Sequence, residues 1–144
     1  VSSDYWGICL RYSDENILAD NDVYDNTYGI HLWSSDENIL ADNDVYDNAY
    51  GFYLWFSNNN IIYLNNLSNT INAYSYGNNF WNSAKKTYTY KDKTYKNHLG
   101  NYWGDYMGAD IDNDGIGDDA YLIEENNGDF YPLMGPFESY LVAY

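Results

Sequence analysis

The sequence predicts an all-β solenoid. Coils of about 22 residues, each with three short strands, stack on one another, and a β-rich cap closes the C-terminal end. Three observations predict this. Residues 12–33 (YSDENILADNDVYDNTYGIHLW) and 34–55 (SSDENILADNDVYDNAYGFYLW) match at 18 of 22 positions without a gap. Periods of this length belong to architectures built by stacking. The apolar residues fall in short alternating pieces, Ile17-Leu18-Ala19, then Val23, then Ile30-His31-Leu32-Trp33, and not at the i, i+3, i+4, i+7 spacing of a helix. Asn16, Asn21 and Asn26 recur five residues apart and Gly29 follows. Asn is a poor helix former that suits turns, and the chain holds 21 of them.

The frame runs both ways. Gly7 aligns with Gly29 and Gly51, and Ser57, Asn60, Ile61 and Asn65 align with Ser35, Asn38, Ile39 and Asn43. It decays past Asn69, which divides the chain into coils (1–77) and a cap region (78–144). At ~3.3 Å per extended residue, 22 residues close a perimeter of roughly 70 Å. Ile17, Ala19, Val23, Ile30 and Leu32 are expected inside, with Ile39, Ala41, Val45, Phe52 and Leu54 stacked on them. The turn Asn residues are expected to bond from coil to coil as amide ladders, and Gly29 and Gly51 to supply positive φ at a corner. Stacking also aligns Asp14/Asp36, Glu15/Glu37, Asp20/Asp42, Asp22/Asp44 and Asp25/Asp47. Two like charges ~4.8 Å apart repel by ~0.9 kcal/mol in water. The rows therefore call for screening salt or for weakly held divalent cations.

Composition excludes several function classes. The net charge is −16 and the pI about 4.1, so no basic face exists for nucleic acid. No apolar run approaches the ~20 residues of a membrane-spanning helix. One Cys excludes an internal disulfide framework. With 45% hydrophobic and 20% aromatic residues, the chain is no disordered acidic tail. It opens on Val1-Ser2-Ser3-Asp4 with no cationic-then-apolar leader, which fits a processed or excised segment.

Outward aromatic rows are expected at Tyr24/Tyr46, Tyr28/Tyr50 and Trp33/Trp55. Such rows suit sugars or a protein partner, and they also support one another as cross-strand pairs. Cys9 shares its position with His31 and Tyr53, outside the coil, where a thiol is incidental or crosslinks neighbouring chains.

The C-terminal region carries five of the six cations, Lys85, Lys86, Lys91, Lys93 and Lys96. TYTYKDKTY reads as a hairpin turning near Lys91-Asp92. Solenoid ends need covering, and the segments around Trp81 and Tyr102-Trp103 are the expected cover. In DIDNDGIGDD (110–119), Asp110, Asp112, Asp114 and Gly115 match positions 1, 3, 5 and 6 of a calcium loop, and Ile116 offers a carbonyl at position 7. Position 12 is Tyr121 in place of the EF-hand Glu, so Asp118 or Asp119 is expected to complete the shell. Hard oxygen donors favour calcium, and a solvated Asp-Gly turn is the alternative. Asn66-Leu67-Ser68 is an N-glycosylation sequon.

These residues resemble the NosD-like family of right-handed parallel β-helices with PbH1 repeats, most closely its archaeal cell-surface type. The repeat NILADNDVYDNxYGIxLW carries the resemblance, together with GNNFWN (77–82), LGNYWGDY (99–106), DIDNDGIGDDAY (110–121) and FYPLMGPF (130–137). The resemblance implies a right-handed parallel β-helix in an extracellular, surface or glycan-associated setting. The family's link to copper finds little support in the sequence. Copper favours clusters of His, Met or Cys, whereas His31 and His98 are far apart, Met107 and Met134 are isolated, and Cys9 is alone.

The expected function is a non-catalytic, calcium-stabilised structural module of an envelope, sheath or fibre. Its partners would be further copies of itself or neighbouring coils of a longer parent chain, met at the open edge of the first coil. Glycan binding is the alternative. A polysaccharide lyase or glycosidase is less expected, because a lyase needs a basic side chain near its calcium and the coils supply only Arg11.

Overall fold

The computed structural model describes all residues, 1–144. The chain winds as the repeat requires. The first coil holds β1 (Trp6–Arg11), β2 (Ile17–Ala19) and β3 (Asp22–Tyr24). The second holds β4 (Tyr28–Trp33), β5 (Ile39–Ala41) and β6 (Asp44–Tyr46), the third β7 (Tyr50–Trp55), β8 (Ile61–Tyr63) and β9 (Asn66–Ser68), and β10 (Ile71–Tyr76), stacked on β7, opens a fourth. Three parallel sheets result, ordered β1-β4-β7-β10, β2-β5-β8 and β3-β6-β9. Ile17 pairs with Ile39 and Ile39 with Ile61, so residues 22 apart are superimposed.

Every regular corner repeats one device. Glu15, Asp20 and Asp25 adopt left-handed backbone, with φ of 57°, 56° and 57°, and Glu37, Asp42 and Asp47 repeat it. The Asn that follows each of them turns inward. Its Oδ1 accepts the backbone N–H of the Asn one coil before: Asn16 N to Asn38 Oδ1 is 2.8 Å, and Asn38 N to Asn60 Oδ1 is 2.8 Å. Its Nδ2 donates to backbone carbonyls and to the next Asn. Asn43 Nδ2 reaches Leu18 O, Ala41 O and Asn65 Oδ1 at 2.9, 3.0 and 2.9 Å. Asn38, Asn43, Asn60 and Asn65 are fully buried. Ser13, Ser35 and Ser57 form a fourth ladder, with backbone N to Oγ distances of 3.1 Å.

The glycines have a different role from the expected one. Gly29 and Gly51 do not adopt positive φ. They are small because the coils touch there: a Cβ on Gly29 would stand 2.7 Å from Gly51 O and 2.9 Å from Val45 Cγ1. Most left-handed corners fall to Asp, Glu and Asn, of which Asp and Asn tolerate αL better than most side chains, and Tyr12, Ser34, Phe56 and Leu64 take others in the coils.

The interior is a single apolar column. Val23, Ile30, Leu32, Leu40, Val45, Phe52, Leu54, Ile62 and Leu67 are buried in one cluster, and Trp81 and Trp103 close it. The phase of the second sheet differs from expectation. Leu18, Leu40 and Ile62 point inward, while Ile17 is 69% exposed and Ile61 is also exposed. A three-residue apolar run such as Ile-Leu-Ala does not say which residue faces the core, and here the middle one does.

Winding continues past residue 77. Asn79 extends the first Asn ladder and Asn101 the second. Phe80 bridges to Ile61, and β13 (Tyr102–Trp103) pairs with β9. This partial fourth coil is split by a hairpin of β11 (Lys86–Tyr90) and β12 (Lys93–Asn97). The hairpin turns at Lys91-Asp92, as expected, both at positive φ. β14 (Tyr121–Glu124), β15 (Asn127–Asp129) and β16 (Leu141–Val142) complete the cap. A second core of Leu64, Tyr88, Tyr90, Leu99, Ile116, Leu133 and Tyr140 joins the hairpin to the rest of the cap.

The second ladder ends on a carboxylate. Asp129 is fully buried and accepts Asn101 N at 2.6 Å, Trp103 Nε1 at 2.9 Å and Tyr131 N at 2.9 Å. Burial pushes its pKa up to about 7, against the pull of these donors. Asp42 and Asp44 are also raised, chiefly by burial, with the aligned Asp20 and Asp22 adding to it.

Two predictions follow from these ladders. Asn43→Ala strips a buried acceptor and two carbonyl contacts at once, and should cost about 3 kcal/mol or more in urea unfolding, against about 1 kcal/mol for the half-exposed Asn16→Ala. The second concerns pH. A raised carboxyl favours the fold below its unfolded value of ~3.9 and loses that contribution as pH climbs through its folded value. The melting temperature should therefore rise on going from pH 7.5 to pH 5, and Asp129→Asn should flatten that slope.

Candidate functional site

Three surfaces carry chemistry. The first is the outer face of the β1-β4-β7-β10 sheet. The register between coils brings Trp6, Tyr28 and Tyr50 into one row. Cys9, His31, Tyr53 and Tyr74 form a second row, and Arg11, Trp33, Trp55 and Tyr76 a third. The rings stack along the rows: Tyr28 on Tyr50 at 5.2 Å and Tyr53 on Tyr74 at 4.8 Å. The Arg11 guanidinium lies 4.4 Å from the centre of the Trp33 ring. The expected rows Tyr28/Tyr50 and Trp33/Trp55 thus share one face. Tyr24/Tyr46 does not: it stacks at 5.2 Å on the β3-β6-β9 sheet. Tyr53 lies outside beside His31, as expected, and Tyr74 and Tyr76, which the expected rows did not include, also belong to the face. The register at 53 signalled the first, but the other two lie where the repeat has decayed.

Within this face, His31 is only 7% exposed although it points away from the coil interior. Trp6, Tyr28, Trp33 and Tyr53 surround its ring at centroid distances of 5.3–6.3 Å. Burial, with the nearby Arg11 charge, lowers its pKa. Its Nδ1 lies 3.9 Å from Cys9 Sγ. The thiol is exposed on the edge strand β1, and burial of its sulfur side raises its pKa, with Arg11 opposing.

The second surface is the acidic loop. Ligand oxygens of Asp110, Asp112 and Asp114 lie within 4.8 Å of one another, as the spacing predicts. Asn113 at φ 59° and Gly115 at φ +91° make the turn. Asp110 accepts Gly115 N at 2.9 Å and Asp114 accepts Ile116 N at 2.8 Å. Tyr88 Oη donates to Asp114 O and Tyr95 Oη to Asn113 O, tying the loop to the hairpin. Burial and the neighbouring acids raise the Asp114 pKa. Asp118 shares a cleft with Asp112, Asp114 and Ile116, and its carboxylate accepts Ile111 N at 2.8 Å. Asp119 lines a different cleft, with Asp105, Tyr106 and Tyr121, and its backbone carbonyl accepts Tyr106 Oη at 2.6 Å. Asp118 is thus the better placed of the two expected shell-completing residues.

The third surface is Asn66. Its Nδ2 donates to Asp44 Oδ1 and Glu138 Oε2 at 2.7 and 3.0 Å, and its Oδ1 accepts Phe137 N at 2.8 Å. A sugar on that nitrogen leaves one N–H and would displace at least one of the two carboxylates, so the sequon reads here as a strut between the third coil and the short 3₁₀ turn at Phe137–Ser139.

The copper donors expected to lie apart mostly do. His98 Nδ1 is 2.7 Å from Ser83 O in the cap, and Met107 is 94% exposed on a loop. Cys9 and His31 are the exception, since 22 residues of sequence are one coil in space.

A family model described as periplasmic copper-binding protein (NosD) matches residues 1–108. The chain belongs to the NosD family. The matched stretch ends just past the partial fourth coil, so it covers the whole winding region of this NosD-family chain. No curated protein and no solved structure matches it. No helix of the structure is long and apolar enough to cross a membrane.

The ladder of rings makes its own prediction. His31 holds the centre of the aromatic face, so His31→Ala should open it, lowering stability by about 2 kcal/mol or more through the cavity left among four rings. His31→Tyr, the residue standing at 53, should be tolerated. Thermal melts of both variants decide this.

Proposed function

We propose that this NosD-family chain is a non-catalytic extracellular module of a cell surface that docks end-on through its first coil. The supporting observation is the edge of that coil. β1 and β2 pair only with β4 and β5, leaving their other edges free. Asn16 and Asn21 stand at the head of their ladders, each donating its backbone N–H to the Asn one coil on. Ile8, Leu10 and Leu18 are only partly covered over the apolar column. Free strand edges and an open apolar end together are a template for strand addition. The partner that fits is another 22-residue coil of the same pattern, from a longer parent chain or a second copy. At the other end, Phe80 and β13 close two sheets and Trp81 and Trp103 cover the column. Docking therefore uses one end, and pairs or extensions of the parent stack fit better than head-to-tail filaments.

Calcium is part of the proposal as a structural ion. Asp110, Asp112, Asp114 and Asp118 would hold it, pinning the loop beneath the hairpin tyrosines. In a chain of charge −16, a bound divalent ion also relieves repulsion.

A second reading, adhesion to polysaccharide, is favoured by the rims of the aromatic face. Trp6, Tyr74 and Tyr76 are exposed there. The stacked rings turn their edges and hydroxyls outward, an arrangement suited to hydrogen bonding of sugars as well as apolar contact.

Three measurements test these readings. Light scattering and electron microscopy should show association that is lost in Arg11→Pro, which removes an N–H from the free edge of β1, since the neighbouring Tyr12 N–H points to Trp33 O; a strictly monomeric native protein overturns end-on docking. Calcium should raise the melting temperature by several degrees, with Asp112→Asn abolishing the rise; no effect of calcium or chelator removes the ion from the proposal. Binding to immobilised polysaccharides should fall at least tenfold in Tyr74→Ala/Tyr76→Ala if the aromatic face is adhesive, and remain in Tyr24→Ala.

A further inference from the structure

We propose that Tyr5 and Tyr28 form an oxidative cross-linking site, at which a one-electron oxidant joins the two rings by a carbon–carbon bond. The site lies at the head of the stack, and the bond ties the N-terminal segment to the second coil. Tyr5 is 58% exposed. Its ring meets that of Tyr28 edge to face, with centroids 5.3 Å apart and planes at 71°. A backbone bond from Tyr28 N to Tyr5 O, 2.9 Å long, holds the two segments together.

Tyrosine rings couple through the carbons beside their hydroxyls. The hydroxyl edges must therefore meet while the stems of the side chains stand apart. Tyr24/Tyr46, Tyr28/Tyr50 and Tyr53/Tyr74 fail this condition. Each pair shares one register position, so its stems stand one strand spacing, ~4.8 Å, apart and its rings lie face on face. Tyr5 escapes that constraint. Trp6 is the residue in register with Tyr28, so Tyr5 approaches from the diagonal. Tyr28–Tyr53 and Tyr50–Tyr53 are also tilted. Their rings are part-buried within the face, whereas Tyr5 stands outside any strand and its exposed side chain can turn between rotamers.

The Tyr28 hydroxyl stays protonated: its pKa is raised by burial first and then by the neighbouring Tyr5 hydroxyl. The second cause reflects hydroxyl groups that lie side by side. Each ring gives up one electron and its hydroxyl proton, and the two phenoxyl radicals join. The ring hydrogens at the new bond then leave as protons while the two oxygens regain theirs. In total two electrons and two protons leave the chain, and one hydrogen peroxide takes them up to become two waters. The aromatic face helps to load Tyr28. Its ring touches those of Tyr50 and Tyr53, at 5.2 and 4.9 Å, so a radical formed elsewhere on the face can pass to it. The product suits its place. β1 has one neighbouring strand only, and local opening is easiest at such an end. A bond closing residues 5–28 opposes that opening.

The test treats the 144-residue chain, in dilute solution, with hydrogen peroxide and a haem peroxidase. Dityrosine fluorescence should appear in material that still runs at single-chain size on a denaturing gel. Mass spectrometry of its digest should find Tyr5 joined to Tyr28. Tyr5→Phe, an exposed substitution that keeps the fold, should lower the intramolecular yield at least fivefold. Tyr28→Phe should do the same, and Tyr24→Phe should leave the yield unchanged. A yield undiminished in Tyr5→Phe, a cross-link mapped to Tyr24–Tyr46, or no intramolecular cross-link while free tyrosine in a parallel mixture is converted would overturn the proposal.

Discussion

The structure depends on a conflict settled at its corners. A coil of 22 residues with three short strands must reverse direction every few residues, and each reversal leaves backbone N–H and C=O groups without strand partners inside the protein. Such groups are costly when buried and unmet. The answer is a pair of residues: an acid in left-handed backbone, then an Asn turned inward. The Asn amide bonds its own turn, the coil before and the coil after, so local geometry and vertical stacking are fixed by one side chain. The glycines, the apolar column and the charged rim follow from it. Coils must touch where Gly7, Gly29 and Gly51 stand, and six of the acids stand at left-handed corners outside the column.

This explains which parts of the molecule were legible in the amino-acid sequence. The 22-residue frame, three strands per coil, Asn ladders, hairpin turn and acidic cluster could all be read, because each is a periodic or short-range signal. Two features misled. Ile17-Leu18-Ala19 is apolar throughout, so periodicity alone does not decide its facing, and the structure puts Leu18 inside. Gly29 resembles a turn residue, but steric contact between coils, a relation across 22 residues, is what demands it. The continuation of winding through Asn79 and Asn101 was hidden because 22 residues separate these two, where Asn60 and Asn65 are five apart. The hairpin accounts for the difference.

The candidate sites follow the same division. The calcium-type loop is contiguous, and the spacing of Asp110, Asp112 and Asp114 forecast their convergence; the choice of Asp118 over Asp119 needed the path of the chain beneath Tyr106. The Cys9–His31 pair was visible as a shared column of the repeat. The enclosure of His31 was not, because only packing reveals that an outward histidine is surrounded by four rings. Asn66 shows the converse, a short motif whose side chain is already committed to holding two segments together.

The way the ladders finish bears on how such a protein changes over generations. The second ladder ends on Asp129 and the third passes from Asn72 to Asp105 at 2.8 Å. Asp105 lies in the final, interrupted turn and Asp129 in the cap, and nothing in them refers to how many turns precede. A duplication or loss of one 22-residue unit in the middle therefore leaves the upper and lower boundaries chemically unchanged. Height becomes a heritable variable separable from foldability, and the near-identity of 12–33 and 34–55 is what a recent copying event of that kind would leave behind.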